Sequence, residues 1–552
     1  MVRYITRARG ASRAVVAGIA LACLVAGCTG GNKPDAGIAS QSAGAMDKFA
    51  ADTQFTATKP LHVSLLWTDW PDLPVKDSWK SFDEIKKLTN VSLDLTHIPF
   101  SDAIQKRSLL ISAGDAPSVI PLVYTGEERP FVSSGAVLPV SDYVKYMPNF
   151  QKYVAKWGLQ DMVNNLKQSD GKSYMLPGLQ EVSVPVFTLI LRKDIFDEVG
   201  AKIPQTWNEL RDGLVKIKAK YPDSYPLADG FEGQSMLNYA SHAFGTRAGW
   251  GFGDGMEDNA KTGKLEYAGA TDEYKGMVEF FQGLVKDGLL DPESFAVAAS
   301  GAATIAEKFA NGKVFAASGA SGTVVEFSTA LNETVGKGKY ELVQIAPPGG
   351  EAGQVVEPRN FWHGFMLSSK LKDSPDFLAT IQFIDWLYYN PDAREMLRWG
   401  IKGDTYTKDA NGKITLNPEY SLDAFEINPD GKTDLQKDLG FSTFLAEATE
   451  SRSLKESYSS AQFVDYVNSV LSSRTPRKQY PPAPLKETEL EQASITATAL
   501  QDAVRTNTLK FILGQRDLSE WDTYVSELKS GGLQTYIDLM TTAHDRFVKG
   551  NS

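Results

Sequence analysis

From residue 61 onward, short apolar runs alternate with amphipathic helical stretches, and this alternation restricts the chain to sheets with helices on their faces. LHVSLLW (61–67), VSLDLTHIP (91–99) and SVIPLVY (118–124) read as strands. Between them, DSWKSFDEIKKLTN (77–90) carries Phe82, Ile85 and Leu88 at helical spacing, and DAIQKRSLLISAG (102–114) reads as a helix ending at Gly114. Such β–α alternation builds a parallel-type α/β sheet. The pattern resumes at FTLILR (187–192), and in PQTWNELRDGLVKIKAKYP (204–222) Thr206 and Glu209 stand at capping-box spacing, which predicts the helix start. TDEYKGMVEFFQGLVKDGLLDP (271–292) is amphipathic, and the apolar helical stretch 374–400 is broken at Asn390-Pro391. The C-terminal part reads as mainly helical, with a Pro-rich break at TPRKQYPPAP (475–484), and no internal repeat is present. A chain of 552 residues exceeds one compact core, so two or more lobes are expected.

The N-terminus carries the most specific local signal. Arg3, Arg7, Arg9 and Arg13 precede the apolar run AVVAGIALACLVAG, which is shorter than the ~20 residues that span a bilayer and fits a signal-sequence core. It ends in Val25-Ala26-Gly27-Cys28, which resembles the lipobox of bacterial lipoproteins, in which the cysteine is lipidated and the chain is cleaved before it. Of the two cysteines, Cys23 lies inside the apolar run, so cleavage leaves Cys28 alone, with no intramolecular disulfide and no thiol for catalysis or metal. Residues 1–27 are thus expected as signal peptide. Residues 28–60, small, polar and aperiodic, are expected as a flexible tether of roughly 30 Å mean span. The expected location is the outer face of a bacterial cell membrane.

Searches for reactive chemistry return little. The formal charge of −11 and the lack of a Lys/Arg-rich run argue against a nucleic-acid partner. His62, His97, His242, His363 and His544 are too widely spaced for a local metal motif. Gly171-Lys172-Ser173 lacks the glycine a phosphate loop needs five residues earlier, where Leu166 stands. GWGFGDG (249–255) is not placed between a strand and a helix start and reads as a loop. No Gly-x-Ser-x-Gly elbow appears, and among 68 acidic residues no spacing selects a catalytic carboxylate pair. Glu426, Asn428, Asp430, Gly431 and Asp434 follow a calcium-loop spacing, but Lys437 replaces the closing glutamate. The stretch reads as a turn, with a structural calcium as the alternative; no cofactor is assigned.

Several stretches together resemble the family 1 extracellular solute-binding proteins, the binding components of ABC importers for oligosaccharides, including the large lipoprotein members and the alginate-binding proteins. The residues that carry the resemblance are GKSYMLPG (171–178), LRKDIFDEVGAKIPQTWNEL (191–210), LEYAGATDEYKGMVEFFQGLVKDGLLDPESF (265–295), FANGKVFAASG (309–319), NPDAREMLRWGIKGDTYTKDANGKI (390–414) and FILGQRDLSEWDTYVSELKSGGLQTYIDLM (511–540). The similarity runs from about residue 60 to 550, and the opening loop LLWTDWPDLP departs from any fixed family pattern. The resemblance implies an α/β, two-lobed periplasmic-binding-protein fold, class II-like, with an interlobe cleft, hinge strands and a helical C-terminal extension. By that analogy the N-lobe comprises 60–184 and 317–358, and the C-lobe 188–315 and 362–552. The implied partners are an oligosaccharide and the permease subunits of the importer, the lipid anchor touches the membrane, and a monomer is expected.

Sugars present apolar C–H faces, which aromatic rings cover, and rims of hydroxyls, which planar polar groups pair with. Aromatics in helical patterns belong to packing, which assigns Trp79, Trp157, Trp386 and Trp521 to cores, with Trp207 just after its N-cap; Trp399 is assigned to packing by the family turn it resembles. The remaining tryptophans are site candidates: Trp67 and Trp70 beyond the first strand, Trp250 in the glycine-rich loop and Trp362 at an expected lobe crossing, joined by Tyr124 at the end of SVIPLVY. Trp70 is favoured over Trp67 because it lies further into its loop. Candidate polar partners are Asp69, Glu181, Gln234, Arg359, Asn360 and His363. A non-sugar solute (peptide, polyol or lipid-like) in the same fold, and an exported polysaccharide-acting enzyme, remain the alternatives.

Overall fold

The computed structural model describes residues 38–551, apart from 260–261, 297–301, 358 and 480. The signal sequence 1–27, the lipidation position Cys28 and the first part of the expected tether lie outside the described residues.

The first sheet is built from β1 (Leu61–Asp69), β2 (Val91–Pro99), β3 (Val119–Val123) and β4 (Leu176–Leu179). β1 and β2 run parallel in register from Leu61 opposite Val91 to Asp69 opposite Pro99. The second sheet is built from β5 (Thr188–Arg192) and β6 (Leu227–Ala228), followed by a separate hairpin of β7 (Met256–Asn259) and β8 (Lys264–Tyr267), and then β9 (Ala316–Gly319) and β10 (Leu342–Gln344). The chain returns through β11 (Val355–Val356) to β12 (Phe361–Leu367), which inserts antiparallel between β3 and β4. The strand orders are β2-β1-β3-β12-β4 and β10-β5-β9-β6.

Each sheet is covered on both faces, as parallel-type sheets require. Alternation along β1 sends Val63, Leu65 and Trp67 into one core and Leu66 into another, where it meets Ile120 and Met366. Gly178 and Gly364 let β4, β12 and the segment around Ala448 approach closely: a Cβ on Gly178 would run into the Ala448 carbonyl, and one on Gly364 into the Leu176 carbonyl. The helix Phe377–Tyr389 is buried on every side and fills the first core; Asn390 caps its successor Pro391–Trp399 through the amides of Asp392 and Ala393. The capping box predicted at the helix Trp207–Lys220 is present, with the Thr206 hydroxyl accepting from Glu209 N–H and the Glu209 carboxylate accepting from Thr206 N–H. The C-terminal helices Glu487–Ile512, Trp521–Ser530 and Leu533–Asn551 place Val504, Phe511, Trp521 and Tyr524 in the core that includes Met277 and Phe281.

The chain path differs from the expected lobe boundaries in two places. Residues 316–344 belong to the second sheet, because β9 pairs with β5 and β6, and β10 pairs with β5. Residues 361–458 belong to the first lobe, because β12 completes its sheet and the two helices after it fill its core. The tether assignment is also corrected for residues 38–60. Phe55 is fully buried against Phe383, the Gln382 side chain is paired in both directions with the Met46 backbone, and Ala57 N–H donates to Thr89 C=O. Aromatic packing thus ties this small, polar stretch to the first lobe. Among the described residues no helix is long and apolar enough to cross a membrane.

Three segments cross between the lobes side by side. Gln180 N–H donates to Asn360 C=O at 2.8 Å, Glu181 N–H to Glu450 C=O at 3.1 Å, and Glu450 N–H to Leu179 C=O at 2.9 Å. The helix Ala461–Ser473 braces them, with the Tyr466 hydroxyl donating to Pro185 C=O at 2.6 Å.

Candidate ligand-binding cleft

In the first sheet the chain order reverses at β1, so the loops after β1 and β3 leave a crevice between them, the place where open α/β sheets hold ligands. Tyr124 stands at the end of β3 with 44% of its surface exposed. Its direction is set by a bulge: Pro121 pairs with Phe365 and Val123 with Gly364, which leaves Leu122 over, in the left-handed region at φ 57°. The Glu127 carboxylate pins the loop, accepting from Tyr124 N–H at 2.9 Å and from Arg107 at 2.6 Å. The Tyr124 ring meets Trp362 edge to face at 5.8 Å, and the Arg359 guanidinium lies 4.2 Å from the centre of the Trp362 ring. Burial raises the Tyr124 hydroxyl pKa, opposed by Arg359.

Charges continue this group toward the second lobe. His242, on the helix Gln234–Phe244, lies 3.7 Å from the Glu357 carboxylate. Burial alone would raise the Glu357 pKa, but His242, Arg247 and Arg359 outweigh it and hold the carboxyl below its usual range. Arg359 is lowered by its own burial, opposed by Glu357 and Tyr124. On the first-lobe side, burial raises Glu447 despite the attraction of Arg398; this carboxyl acts on Tyr124 electrostatically.

The second lobe presents an aromatic trio. Trp250, 49% exposed, meets Phe187 at 5.0 Å and Phe231 at 5.3 Å, and these two phenyl rings are 5.2 Å apart. Phe231 is positioned by Asp229, which is fully buried at the end of β6, accepts from Phe231 N–H at 3.1 Å and is pushed up to about 6 by desolvation.

At the other end of the first sheet, Trp70 lies past the end of β1 and stacks on Phe100, past the end of β2, with ring centres 3.8 Å apart. The Asp69 carboxylate meets His97 Nδ1 at 3.1 Å. These residues border a cavity of about 570 Å3.

The structure therefore separates the sequence candidates. Tyr124, Arg359 and Trp362 form one group, Asp69 and Trp70 a second, and Trp250 stands on the facing lobe. Trp67 is corrected to core: it is 2% exposed, against Trp79, Phe82 and Phe444, because strand alternation points it the same way as Val63 and Leu65. His363 is 2% exposed, and among the described residues neither ring nitrogen has a hydrogen-bond partner. Burial, and secondarily the charge of Arg394, lower its pKa to about 3, so it is neutral packing beside Tyr124 and Trp362. Glu181 accepts from Arg452 N–H at 2.7 Å, and the Asn360 side chain donates to Gln180 C=O at 3.1 Å, so both are engaged in the crossing. Gln234 lines a different cavity of about 250 Å3, shared with Arg505 and Thr508 of the C-terminal helices. The tryptophans assigned to packing lie in the cores or against them.

Sequence reasoning missed Phe100, Phe187, Phe231, Glu357 and Glu447. Phe100 carries the same signal as Tyr124, an aromatic just past a strand; the others have no local signal, since pairing across loops places them. In the loop 426–437, the Asn428 and Asp434 side chains are engaged within the protein. The Asn428 amide donates to Tyr420 C=O and Pro418 C=O, Asp434 accepts from the amides of Asp423, Gln436 and Lys437, and the Lys437 ammonium pairs with Asp423 at 3.2 Å.

Two α/β sheets joined by three crossing segments, with aromatic and charged side chains where they meet, define a two-lobed binding fold. The chain belongs to the bacterial extracellular solute-binding proteins, whose family model matches residues 80–411, more than half of its length. It is similar to the fructooligosaccharide ABC transporter substrate-binding protein FusA of Streptococcus pneumoniae serotype 4, at 23% identity over 503 residues, covering 84% of this chain and 86% of FusA. Its fold is similar to that of an HMO-binding, ABC-transporter-associated solute-binding protein from Bifidobacterium longum infantis (TM-score 0.68, 18% identity) and to that of alginate-binding protein AlgQ2 (TM-score 0.65, 19% identity). Both likenesses cover 89% of this chain and 99% of the other.

Proposed function

We propose that this chain binds an oligosaccharide between its two lobes and delivers it unchanged to the permease of an ABC importer, held at the outer face of the bacterial membrane by a lipid on Cys28. The observation that carries the reading is the Tyr124–Trp362–Arg359 group beside the crossing segments. Its rings offer apolar faces to sugar C–H surfaces, and the guanidinium and phenol offer hydrogen bonds to hydroxyls. Trp250 supplies an exposed ring on the other lobe, so closing the lobes about the crossing segments would bring a second face to the same sugar. The names of FusA, the HMO-binding protein and AlgQ2 support a saccharide ligand. Signal-like residues 1–27 and the single remaining cysteine support the anchor.

Titration calorimetry of residues 38–552 against a broad oligosaccharide panel, with product analysis after long incubation, tests the reading. Saturable heat with intact glycan is the expected result. Hydrolysis of a panel member, or binding confined to peptides or polyols, overturns it.

A further inference from the structure

The strand order β2-β1-β3-β12 sets four aromatic side chains in a row along one edge of the first sheet. Phe100 follows β2, Trp70 follows β1, Tyr124 follows β3, and Trp362 lies in β12 opposite Gly178, two residues before the Gly364–Val123 pair. Paired neighbouring strands are ~4.8 Å apart, so a row across four strands extends at least roughly 14 Å. Resting on the oligosaccharide reading above, we infer that this row is an extended rail, and that the ligand is a linear glycan of at least four units lying across the strand ends.

Three observations carry the inference. The row divides into two plates, Phe100 stacked on Trp70 at 3.8 Å and 26°, and Trp362 perpendicular to Tyr124 at 5.8 Å; the crevice at the reversal of strand order lies between them. Phe100 and Tyr124 remain 48% and 44% exposed, so the fold itself does not use their outer faces. The first plate also has a polar rim: the cavity of about 570 Å3 that it borders is lined by Asp69, His97, Asp77 and Ser101 as well. The His97 contact orients the Asp69 carboxylate, a suitable acceptor for sugar hydroxyls. An extended glycan advances by about one strand spacing per unit, so units held at Trp362 and Tyr124 leave the next ones against the Trp70–Phe100 stack. A mono- or disaccharide held beside the crossing segments would leave the second plate without a partner.

The test is calorimetry with chain-length ladders of two to six units, using inulin-type fructans, α-1,4-oligogalacturonides, malto-oligosaccharides and xylo-oligosaccharides. With the unaltered chain, affinity for the bound ladder should climb up to four or more units and then level. Phe100→Ala and Trp70→Ala should each weaken binding of the longer members by about tenfold while leaving the disaccharide unchanged, and Trp70→Phe should recover most of the loss. Trp362→Ala should weaken every length. Thermal melting of each variant separates lost binding from lost fold. Affinity that levels at two units, or longer members bound equally well without both Phe100 and Trp70 rings, overturns the rail and leaves the oligosaccharide reading standing. Failure of every saccharide overturns that reading, and the rail with it.

Discussion

The Arg359 guanidinium lies over the Trp362 ring, 4.2 Å from its centre, and Arg359 N–H donates to the Ser183 hydroxyl at 2.6 Å. One residue thereby fixes the indole and ties together two of the crossing segments. Arg359→Lys keeps the charge but loses the planar stack, and should weaken saccharide binding by about three- to tenfold with little change in melting temperature. Arg359→Ala should weaken it further. Calorimetry beside thermal melting checks both.

Trp67 and Trp362 should separate cleanly by measurement. Trp67 is buried among Trp79, Phe82 and Phe444, so Trp67→Ala should cost about 3–5 kcal/mol of stability. The surviving folded fraction should bind ligand with unchanged affinity. A loss of affinity without a loss of stability would return Trp67 to the site.

His363 predicts a pH dependence. Its folded-state pKa is about 3, against about 6.5 in the unfolded chain, so below pH 6.5 the unfolded state binds the extra proton. The stabilisation is therefore complete above pH 6.5 and is lost as pH falls toward 3, at up to about 1.4 kcal/mol per pH unit. His363→Leu should flatten the stability profile between pH 6 and 4 relative to the unaltered chain. Denaturant melts across that range read the difference in slope.

Glu450 lies at the crossing with its carboxylate buried against Arg398 at 3.0 Å and Lys455 at 3.2 Å, and the Tyr458 hydroxyl donates to it. Burial would raise its pKa, but the Lys455 and Arg398 charges win and hold it low. Glu450→Gln leaves two cations without their shared counter-ion, and should destabilise the protein by about 3–5 kcal/mol. A loss of unfolding free energy below that range, read from chemical denaturation, would show that the cluster is solvated.

On the proposed lipid anchor, Cys28→Ser in the full chain should abolish palmitate labelling, with affinity for its ligand unchanged. Labelling that persists in this variant would place the lipid elsewhere.

Strands and helices of both lobes were legible because their periods are local: 61–67, 91–99 and 118–124 in the first lobe alternate or run apolar, and Thr206 with Glu209 in the second marks a helix start within one turn. Tyr124, Trp70 and Trp362 stood out as candidates because the sequence places each at a strand end or an expected crossing, and the structure keeps them there. Trp67 was misread because one residue of phase in a strand decides between core and cleft. Gln234 opens a helix and lines a separate cavity, a placement of which the sequence carries no sign. The stretch 38–60 escaped as packed structure because one phenylalanine, Phe55, anchors an otherwise small, polar stretch.

By itself the sequence determined the α/β class and the aromatic supply, since both follow from residue type and short-range period. Tertiary structure alone decided that β12 and the helices after it return to the first lobe, and that β9 and β10 stay in the second. It also brought Phe100, Trp70, Tyr124 and Trp362, which are far apart in the chain, onto one sheet edge. The reason is physical: strand order is chosen by which apolar faces can be buried together across long loops, and no local pattern records that choice.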